Sequence, residues 1–415
     1  MTQERVSQPS FYGLGIAPGI LEVLNKLKFT SPTPIQHQAI PIAMEGKDLI
    51  GIAQTGTGKT LAFGIPMIQK LTPTKDRGLI VLPTRELALQ VEEMLDKVGK
   101  SLNLRTAVLI GGQSMQPQLR ALHRNPHIII ATPGRLLDHM MQRTVSLSSI
   151  RILILDEADR MLDMGFQPQI QKILQAVPKD RQTMLFSATL PPDIMSIATK
   201  AMRSPLRIEV APPGTAAERV AQEIFIVSKE GKSRLLQKVL AEYKGSVLVF
   251  TRMKFGARRV AAMVRAFGHT ASEIHSNRSL GQRREALEGF KSGKFRVLVA
   301  TDIAARGIDV RGIELVVNFD LPSSADDYVH RIGRTGRAGT EGTAISFALP
   351  VEFPEIRAIE RLTRKTIRVS TPKSEEALGE RPEIPKASSE NSRGGTSHGG
   401  RDTKYVPRRQ WRVRR

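Results

Sequence analysis

Short runs of aliphatic residues recur along the chain, and stretches with a helical pattern separate them. A first series comprises DLIGIA, GLIVLPT, TAVLIGG, HIIIATPG, RILILDEAD and TMLFSAT, and a second comprises QEIFIV, SVLVFTR, RVLVATD, ELVVNFD and TAISFAL. Continuous apolar runs of this length are typical of strands that are buried on both faces of a parallel sheet. The sequence therefore predicts an α/β fold with two tandem sheet-and-helix domains.

The boundaries of these domains follow from changes in composition. Residues 211–219 contain two prolines and a glycine and lack a strand pattern, so they are predicted to link a domain at 1–210 to one at 220–370. After residue 370 the pattern changes to Pro, Ser, Gly and charge, and between residues 391 and 415 eight Arg or Lys face one Asp. Residues 371–415 are predicted to form a disordered basic tail, which either anchors RNA or only aids solubility.

The charge balance narrows the class of partner. The chain has 62 Lys and Arg against 40 Asp and Glu, a net charge of +22, which favours polyanions such as nucleic acid over a merely solvated surface. It has no cysteine, which excludes disulfides, thiolate metal sites and a cysteine nucleophile. No apolar run reaches the roughly 18 residues of a membrane span, and MTQERVSQPS lacks the apolar core of a secretion signal. We therefore expect a soluble, cytoplasmic protein.

A glycine-rich loop follows the first aliphatic run. In AQTGTGKT the glycines let backbone N–H groups face inward, and the helix that begins near Lys59 favours anions at its N-terminus. Lys59 would bind the β- and γ-phosphates of a nucleotide, and the Thr60 hydroxyl would bind Mg²⁺. An ordinary strand-to-helix turn is the alternative for the loop taken alone. The predicted nucleotide-binding residues here are Ala53, Gln54, Thr55, Gly56, Thr57, Gly58, Lys59 and Thr60.

Two carboxylates follow the run RILIL. Asp156 and Glu157 would lie at the carboxyl edge of the sheet, where ligands of open α/β folds bind. Asp156 suits coordination of Mg²⁺ through water, and Glu157 suits orienting and deprotonating an attacking water. A cluster of acids that merely caps a helix is the alternative.

The second domain offers basic residues for the same reaction. In YVHRIGRTGR, the residues His330, Arg334 and Arg337 recur at i, i+4 and i+7, which would align them on one face of a helix. Positive charge supplied from a second domain would stabilise the developing charge on the γ-phosphate and make hydrolysis depend on domain closure. A solvated basic face is the alternative.

Taken in order, these motifs resemble those of the DEAD-box RNA helicases, superfamily 2 ATPases with two RecA-like domains. The resemblance runs from about Phe11 to about Pro350 and is close to bacterial helicases of the RhlE subgroup. It implies a monomeric enzyme that uses ATP and Mg²⁺, binds RNA largely through its backbone, and remodels structured RNA alongside ribosome-assembly or RNA-decay proteins.

The resemblance also implies roles toward the nucleotide. FTSPTPIQ resembles the Q motif, in which an aromatic ring stacks on adenine and Gln36 binds the edge of the base. Phe29 is the aromatic residue within this motif, and Phe11 matches its upstream aromatic. In motif V, ATDIAARGID, the family contacts the nucleotide through Gly307 and Asp309.

Other motifs resemble those that couple hydrolysis to RNA. SAT is similar to motif III, which implies coupling roles for Ser187 and Thr189, and the last two arginines of motif VI, Arg334 and Arg337, act as arginine fingers in the family. The RNA backbone is held by motifs Ia, GG, Ib, IV and V. The corresponding residues are Thr84, Arg85, Gly111, Gly112, Thr132, Gly134, Arg135, Arg252 and Thr301.

Two positions depart from the family pattern. Lys28 replaces the usual glycine before Phe29, which is expected to affect the base contact little. Leu280 replaces the glutamine of the QxxR element, although its arginine is retained as Arg283, so the contact that the family makes through this glutamine is not predicted here. A DNA translocase of the same superfamily and an RNA clamp without turnover are the alternatives to an RNA helicase.

Overall fold

The computed structural model describes residues 10–54, 56–210, 220–305, 310, 312–336 and 341–370, which all belong to one compact unit. Within these ranges the chain forms two parallel sheets of seven strands each, flanked by helices. This confirms the predicted α/β fold with tandem RecA-like sheets. The predicted linker at 211–219 and the predicted tail at 371–415 lie outside the described residues.

The first sheet has the strand order β3-β4-β2-β5-β6-β1-β7. Its strands are β1 Leu49–Ile52, β2 Arg77–Val81, β3 Thr106–Leu109, β4 Ile128–Ala131, β5 Ile150–Leu155, β6 Gln182–Ser187 and β7 Leu206–Glu209. Its helices are α1 Pro18–Lys26, α2 Pro34–Met44, α3 Lys59–Leu71, α4 Arg85–Gly99, α5 Met115–His123, α6 Pro133–Met141, α7 Ala158–Asp163, α8 Gln167–Ala176 and α9 Pro192–Ala201.

The second sheet repeats the arrangement with the order β10-β11-β9-β12-β13-β8-β14. Its strands are β8 Val220–Ile226, β9 Val247–Thr251, β10 Ala271–Ile274, β11 Val297–Thr301, β12 Leu315–Asn318, β13 Gly342–Ala348 and β14 Arg368–Ser370. Its helices are α10 Gly231–Glu242, α11 Lys254–Ala266, α12 Leu280–Lys291, α13 Asp302–Ala305, α14 Ala325–Ile332 and α15 Phe353–Thr363.

The central strands are buried throughout, as their sequences predict. Every residue of β1, β4, β6, β9 and β12 is buried, and apolar clusters cover both faces of each sheet. The aliphatic runs predicted all the strands except β7, β10 and β14. These three lie at sheet edges, where fewer neighbours bury the strand and its sequence need not be continuously apolar.

No helix among the described residues is both long enough and apolar enough to cross a membrane.

Parallel pairing aligns the ends of neighbouring strands. β1 pairs in register with β6 from Leu49 opposite Met184 to Ile52 opposite Ser187, and β6 pairs with β5. The segments that follow β1, β5 and β6 therefore meet at one carboxyl edge, where ligands of such sheets bind. These segments contain the glycine-rich loop, the DEAD residues (156–159) and the SAT residues (187–189).

Candidate nucleotide site and RNA interface

The glycine-rich loop closes tightly around the side chain of Lys59. Lys59 begins α3, is only 5% exposed, and donates from Nζ to the Ala53 carbonyl at 3.1 Å. Gly56 and Gly58 adopt φ of 88° and 92°, which favour glycine. A Cβ at Gly58 would overlap the Gln36 amide, so the loop requires glycine there.

The remaining predicted residues lie between the end of β1 and the first turn of α3. Gln54, Thr57 and Thr60 are half-buried, and the Thr57 hydroxyl donates to the Gln54 carbonyl at 2.7 Å. Thr55 lies outside the described residues. The loop thus presents the first turn of a helix and a buried ammonium group to the same edge of the sheet, which suits an anionic phosphate chain.

The two predicted carboxylates face this lysine. Lys59 Nζ lies 3.1 Å from Glu157 Oε1 and 3.7 Å from Asp156 Oδ1, and Arg160 Nη1 lies 3.0 Å from Glu157 Oε2. Glu157 occupies the N-cap position of α7, but its side chain makes no capping hydrogen bond. The Glu157 side chain therefore faces the two cations and does not cap the helix.

The backbone of Glu157 is strained. Its φ of 55° lies in the left-handed region, which costs a residue other than glycine about 1 kcal/mol or more. Its N–H donates to the Asp156 carboxylate at 2.9 Å. This turn places both carboxylates, rather than one, at the end of β5.

Burial and charge shift the ionisation of the three groups in opposite directions. Burial lowers the pKa of Lys59, but the carboxylates of Glu157, Asp156 and Asp159 more than offset it, so the pKa is raised and the ammonium persists. Burial raises the pKa of Asp156 to about 6, against the opposing effect of Lys59. Burial also acts to raise the pKa of Glu157, but Arg160 and Lys59 outweigh it and lower the value. Glu157 is therefore fully ionised at neutral pH.

Asp159 connects the DEAD residues to the SAT residues. Its Oδ2 accepts hydrogen bonds from the Ala188 N–H at 3.0 Å, the Thr189 N–H at 2.9 Å and the Thr189 hydroxyl at 3.1 Å. The Asp159 N–H in turn donates to the buried Ser187 hydroxyl at 3.1 Å. Ser187 and Thr189 therefore bond directly to the segment that carries Glu157, and the sequence did not identify Asp159 as the residue that makes this connection.

The Q-motif residues support the glycine-rich loop. Gln36 is 3% exposed, accepts from the Thr33 N–H at 2.9 Å and donates to the Gly58 carbonyl at 3.0 Å. These bonds leave one N–H and one lone pair of the amide for a base edge. Phe29 is half-buried, whereas Phe11 is 3% exposed and packs within the apolar core.

Two residues of the second half approach this cluster, His330 from the end of α14 and Arg334 from the turn that follows it. The helix predicted to align His330, Arg334 and Arg337 is wrong beyond Ile332, because α14 ends there and Gly333 follows. Glycine has a low helix propensity, and two glycines lie within this motif. Arg334 lies in the turn, is 4% exposed and donates from Nε to the His330 carbonyl at 3.2 Å. Arg337 lies outside the described residues, as do Gly307 and Asp309.

His330 and Arg334 interact electrostatically with residues of the first half. The Arg334 guanidinium is among the groups that lower the pKa of Glu157, which excludes a solvated face for Arg334. Burial lowers the pKa of His330 to about 4, and Arg160 and Arg334 add to this effect. His330 is therefore neutral at pH 7, and of the two it is Arg334 that carries positive charge.

Arg331 is a buried anchor that the sequence analysis missed. Its guanidinium binds the Asp302 carboxylate through Nη2 at 2.7 Å, donates to Asn318 Oδ1 at 3.1 Å and lies 5.1 Å from the centre of the Phe250 ring. These partners come from three different strands or their ends, so Arg331 fixes α14 on the sheet. Its spacing from His330 gave no signal of this role.

The predicted RNA residues of the first half follow β2, β3 and β4. Thr84 caps α4 by accepting from the Leu87 N–H at 3.3 Å, and the next residue, Arg85, lies over Gly111 and Gly112. A Cβ at Gly112 would overlap the Arg85 guanidinium, and its φ of 72° also favours glycine.

The third segment adds the start of α6. Thr132 occupies the N-cap position of this helix without a side-chain capping bond, and Gly134 is exposed. Both guanidinium Nη atoms of Arg135 donate to the Gln113 carbonyl at 3.1 Å. The strand order thus divides one edge: the predicted RNA residues follow β3, β4 and β2, and the predicted nucleotide residues follow β5, β6 and β1.

The second half shows the same division. Arg252 follows β9, is exposed, and donates from Nη2 to Glu352 Oε1 and to the Leu321 carbonyl, both at 3.0 Å. Thr301 is the half-buried last residue of the neighbouring strand β11. Both therefore lie on one side of the edge, whereas Arg334 comes after β12 on the other side.

The altered QxxR element also contacts the first half. Arg283 on α12 forms an ion pair with Glu86 on α4 at 3.0 Å, and both side chains are about nine-tenths buried. Leu280 packs against the apolar cluster of the first half. Leu280 therefore offers an apolar contact where a glutamine would offer a polar one, and the charge of Arg85 acts on the neighbouring Arg283.

Comparison with known proteins identifies the family. The DEAD/DEAH box helicase model matches residues 33–197, and the helicase conserved C-terminal domain model matches residues 231–339. The ATP-dependent rRNA helicase RRP3 of Debaryomyces hansenii is 42% identical over 362 residues, which span 86% of this chain and 76% of that protein. The DEAD-box ATP-dependent RNA helicase CshA of Bacillus subtilis is 42% identical over 89% of this chain and 76% of that protein. This chain belongs to the DEAD-box helicases.

Solved structures of DEAD-box helicases share its fold. Dbp5 of S. cerevisiae, bound to RNA and ADP BeF3, has a TM-score of 0.79 at 30% identity over 89% of this chain and 98% of that one. Mss116p, bound to ssRNA and AMP-PNP, has a TM-score of 0.80 at 29% identity over 88% of this chain and 78% of that one.

Lys28 offers a test of how this DEAD-box helicase holds Phe29. Lys28 has φ of 61° directly after α1, where its N–H bonds the Asn25 carbonyl and the Phe29 N–H bonds the Leu24 carbonyl. This hydrogen-bond pattern favours glycine at the left-handed position. We expect Lys28→Gly to raise the free energy of unfolding by about 0.5 to 1 kcal/mol, after the greater freedom of unfolded glycine is included. Urea denaturation measures it.

Lys26 provides the matched control for this prediction. It lies in the helical last turn of α1, so Lys26→Gly should instead destabilise the helicase by about 1 kcal/mol. Equal losses in the two variants would show that the backbone at Lys28 is not strained.

The Thr189 hydroxyl offers a test of the coupling contact. Thr189→Val removes one of the hydrogen bonds to the Asp159 carboxylate, a contact worth about 1.5 to 3 kcal/mol, and leaves the backbone bonds. We expect fewer duplexes separated per ATP hydrolysed, with ATP turnover little changed. Parallel measurement of phosphate release and strand displacement gives this ratio.

Thr199→Val is the control, because the Thr199 hydroxyl donates to the Met195 carbonyl of its own helix. The coupling role fails if Thr189→Val and Thr199→Val separate equal numbers of duplexes per ATP.

Proposed function

We propose that this DEAD-box helicase uses ATP hydrolysis to separate short RNA duplexes or to remodel ribonucleoproteins. One observation carries the proposal: Arg334 from the second half reaches the electrostatic environment of Glu157, which the first half holds between Lys59 and Arg160. Because both halves would contribute residues to this reaction centre, nucleotide binding would depend on the position of one half relative to the other.

The residues present fit a magnesium–nucleotide complex. The Thr60 hydroxyl and the Asp156 carboxylate lie at the edge where the phosphates would bind, and oxygen atoms of this kind are ligands that Mg²⁺ prefers. Among the described residues, no group of three or more His, Cys, Asp or Glu could hold a metal alone, so phosphate and water oxygens would complete its shell. The ion would supply positive charge on the phosphate oxygens.

The protein groups divide the work of hydrolysis. Glu157, ionised and aimed by a strained turn, would orient and deprotonate the water that attacks the γ-phosphate. Lys59 and Arg334 would stabilise the charge that develops on the γ-phosphate oxygens as the bond to the leaving ADP breaks. Neutral His330 would position this site rather than add charge.

RNA binding would use the other side of each sheet edge. Helix N-termini, glycine N–H groups and arginines hold phosphates without reading bases. Closure of both halves around one strand would impose a backbone path that a duplex cannot follow, so the second strand is released. Contacts to 2′-hydroxyl groups would favour RNA over DNA.

Several finer features belong to the same proposal. We assign the chain to the RhlE subgroup, with domains at 1–210 and 220–370, a linker at 211–219 and a basic tail at 371–415, and with the predicted roles of the site residues. We also propose a cytoplasmic monomer that acts on structured RNA with ribosome-assembly or RNA-decay proteins. The rRNA helicase among its relatives supports ribosomal precursors as substrates.

ATP turnover with different nucleic acids tests the proposal. Phosphate release by the full chain should rise with single-stranded RNA, rise less with DNA of the same sequence, and accompany separation of an RNA duplex. Equal stimulation by DNA would favour a DNA translocase. RNA binding without any turnover would favour a clamp.

A further inference from the structure

A basic pocket lies on the last helix of the second half, away from the residues assigned above. Its cavity of about 640 Å³ is lined by Arg357, Arg361, Arg364 and Lys365, with Glu360 as its one carboxylate. We call these four cations and their cavity the α15 pocket.

The sequence of α15 places the three arginines on one exposed face. Ile356, Ile359 and Thr363 are buried on the opposite face, whereas the arginines recur at spacings of four and three residues and are exposed. Arg364 follows the helix with φ of 52°, a left-handed conformation that glycine would adopt without strain. The chain nevertheless presents a guanidinium there.

The three arginine charges of the α15 pocket are poorly neutralised. Within the described part of the chain, Arg357, Arg361 and Arg364 form no ion pair and no hydrogen bond, although like charges at this spacing oppose helix formation. The Glu360 carboxylate accepts a hydrogen bond from the Ile367 N–H at 3.0 Å and supplies one negative charge against the four cations of the lining. A concave surface with excess positive charge favours an anionic ligand, which would offset this repulsion.

We infer that the α15 pocket binds phosphate groups of an RNA segment that extends beyond the helicase cleft. This inference rests on the proposed function, because it takes RNA as the ligand. Guanidinium groups match phosphate oxygens in geometry, and the pocket lining contains no aromatic ring on which a base could stack. The pocket therefore holds the backbone of RNA and reads no sequence.

The location of the pocket makes this contact independent of ATP. All four cations come from one helix and the turn that follows it, so their arrangement does not require closure of the two halves. α15 packs against α14, the helix that leads to Arg334. RNA held here is retained beside the cleft between rounds of hydrolysis.

The salt dependence of RNA affinity tests the inference. Two variants of the full chain are made: in one, Arg357, Arg361 and Arg364 are all replaced by Gln, and in the other all three are replaced by Glu. Binding without nucleotide is then measured for a short RNA that only fills the cleft and for a longer one. For the longer RNA, the Gln variant should bind about 10- to 100-fold more weakly at low salt, and its slope of log affinity on log salt should fall by about 2. Binding of the short RNA should not change.

Three exposed lysines near the opposite edge of the first sheet provide a control of equal charge. Lys75, Lys100 and Lys200 precede β2, β3 and β7, and replacing them with Gln should leave both slopes unchanged. An unchanged slope for the longer RNA in the arginine variants overturns the inference. That result is also the one expected if the pocket binds an acidic protein instead of RNA. Failure of the proposed function is distinct, because the unmodified chain would then show no RNA-stimulated turnover.

Discussion

Replacing Glu157 with glutamine should lower ATP turnover by about 10²- to 10⁴-fold, the usual contribution of a positioned general base. Glutamine preserves the shape of the side chain but cannot accept a proton from water. Binding of ATP and RNA should persist, because Lys59 and the glycine-rich loop remain in place. Steady-state phosphate release and fluorescence binding assays measure the two effects separately.

The same substitution should also reduce stability. Glu157 lies between Lys59 and Arg160, and an amide leaves these two buried cations without a shared counter-charge. Glu93→Gln is the matched control, since Glu93 is exposed and its ion pair is with the exposed Lys97. Turnover in Glu157→Gln within a few-fold of the unmodified chain would contradict the role of Glu157 as base.

Replacing Arg334 with alanine should lower RNA-stimulated turnover by about 10³-fold or more, as is typical of an arginine finger. Arg334 is buried, positively charged and close enough to Glu157 to shift its pKa, so it is placed to stabilise charge on the transferred phosphoryl group. RNA binding without nucleotide should be retained, because Arg334 lies on the opposite side of the edge from Arg252 and Thr301.

Arg334→Lys separates charge from geometry. Lysine keeps the positive charge but loses the planar fork of donors, so its turnover should fall between those of the alanine variant and the unmodified chain. If both variants hydrolyse ATP at the unmodified rate, the second half contributes no charge to the reaction.

The sequence predicted the fold well where residues are uniformly buried. Central strands carry continuous aliphatic runs because both faces are covered, and each such run proved to be a strand. The edge strand β14, RVS, is mostly exposed and gave no such pattern. The helix that was expected to continue through Arg334 ends at Ile332, before Gly333. The prediction was wrong because it used periodicity alone and did not consider the low helix propensity of glycine.

The sequence predicted the site less completely. The sequence predicted that Lys59, Asp156 and Glu157 lie together, because each follows a strand that ends at the same sheet edge. The ion pairs among them confirm that they are neighbours. The sequence could not identify Asp159 or Arg331 as connectors, because their partners are distant in sequence and any acid or base could have been solvated. The contacts of Leu280 and Arg283 with the first half also depend on how the two halves pack.

The division of each sheet edge has a consequence for how such a machine can be altered. The loops after β2, β3 and β4 carry the residues predicted to bind RNA, and those after β1, β5 and β6 carry the residues predicted to bind the nucleotide, yet all emerge from a single hydrogen-bonded sheet. Exchanging the first set of loops should therefore change the preference for RNA, while the residues for ATP hydrolysis in the second set stay in place.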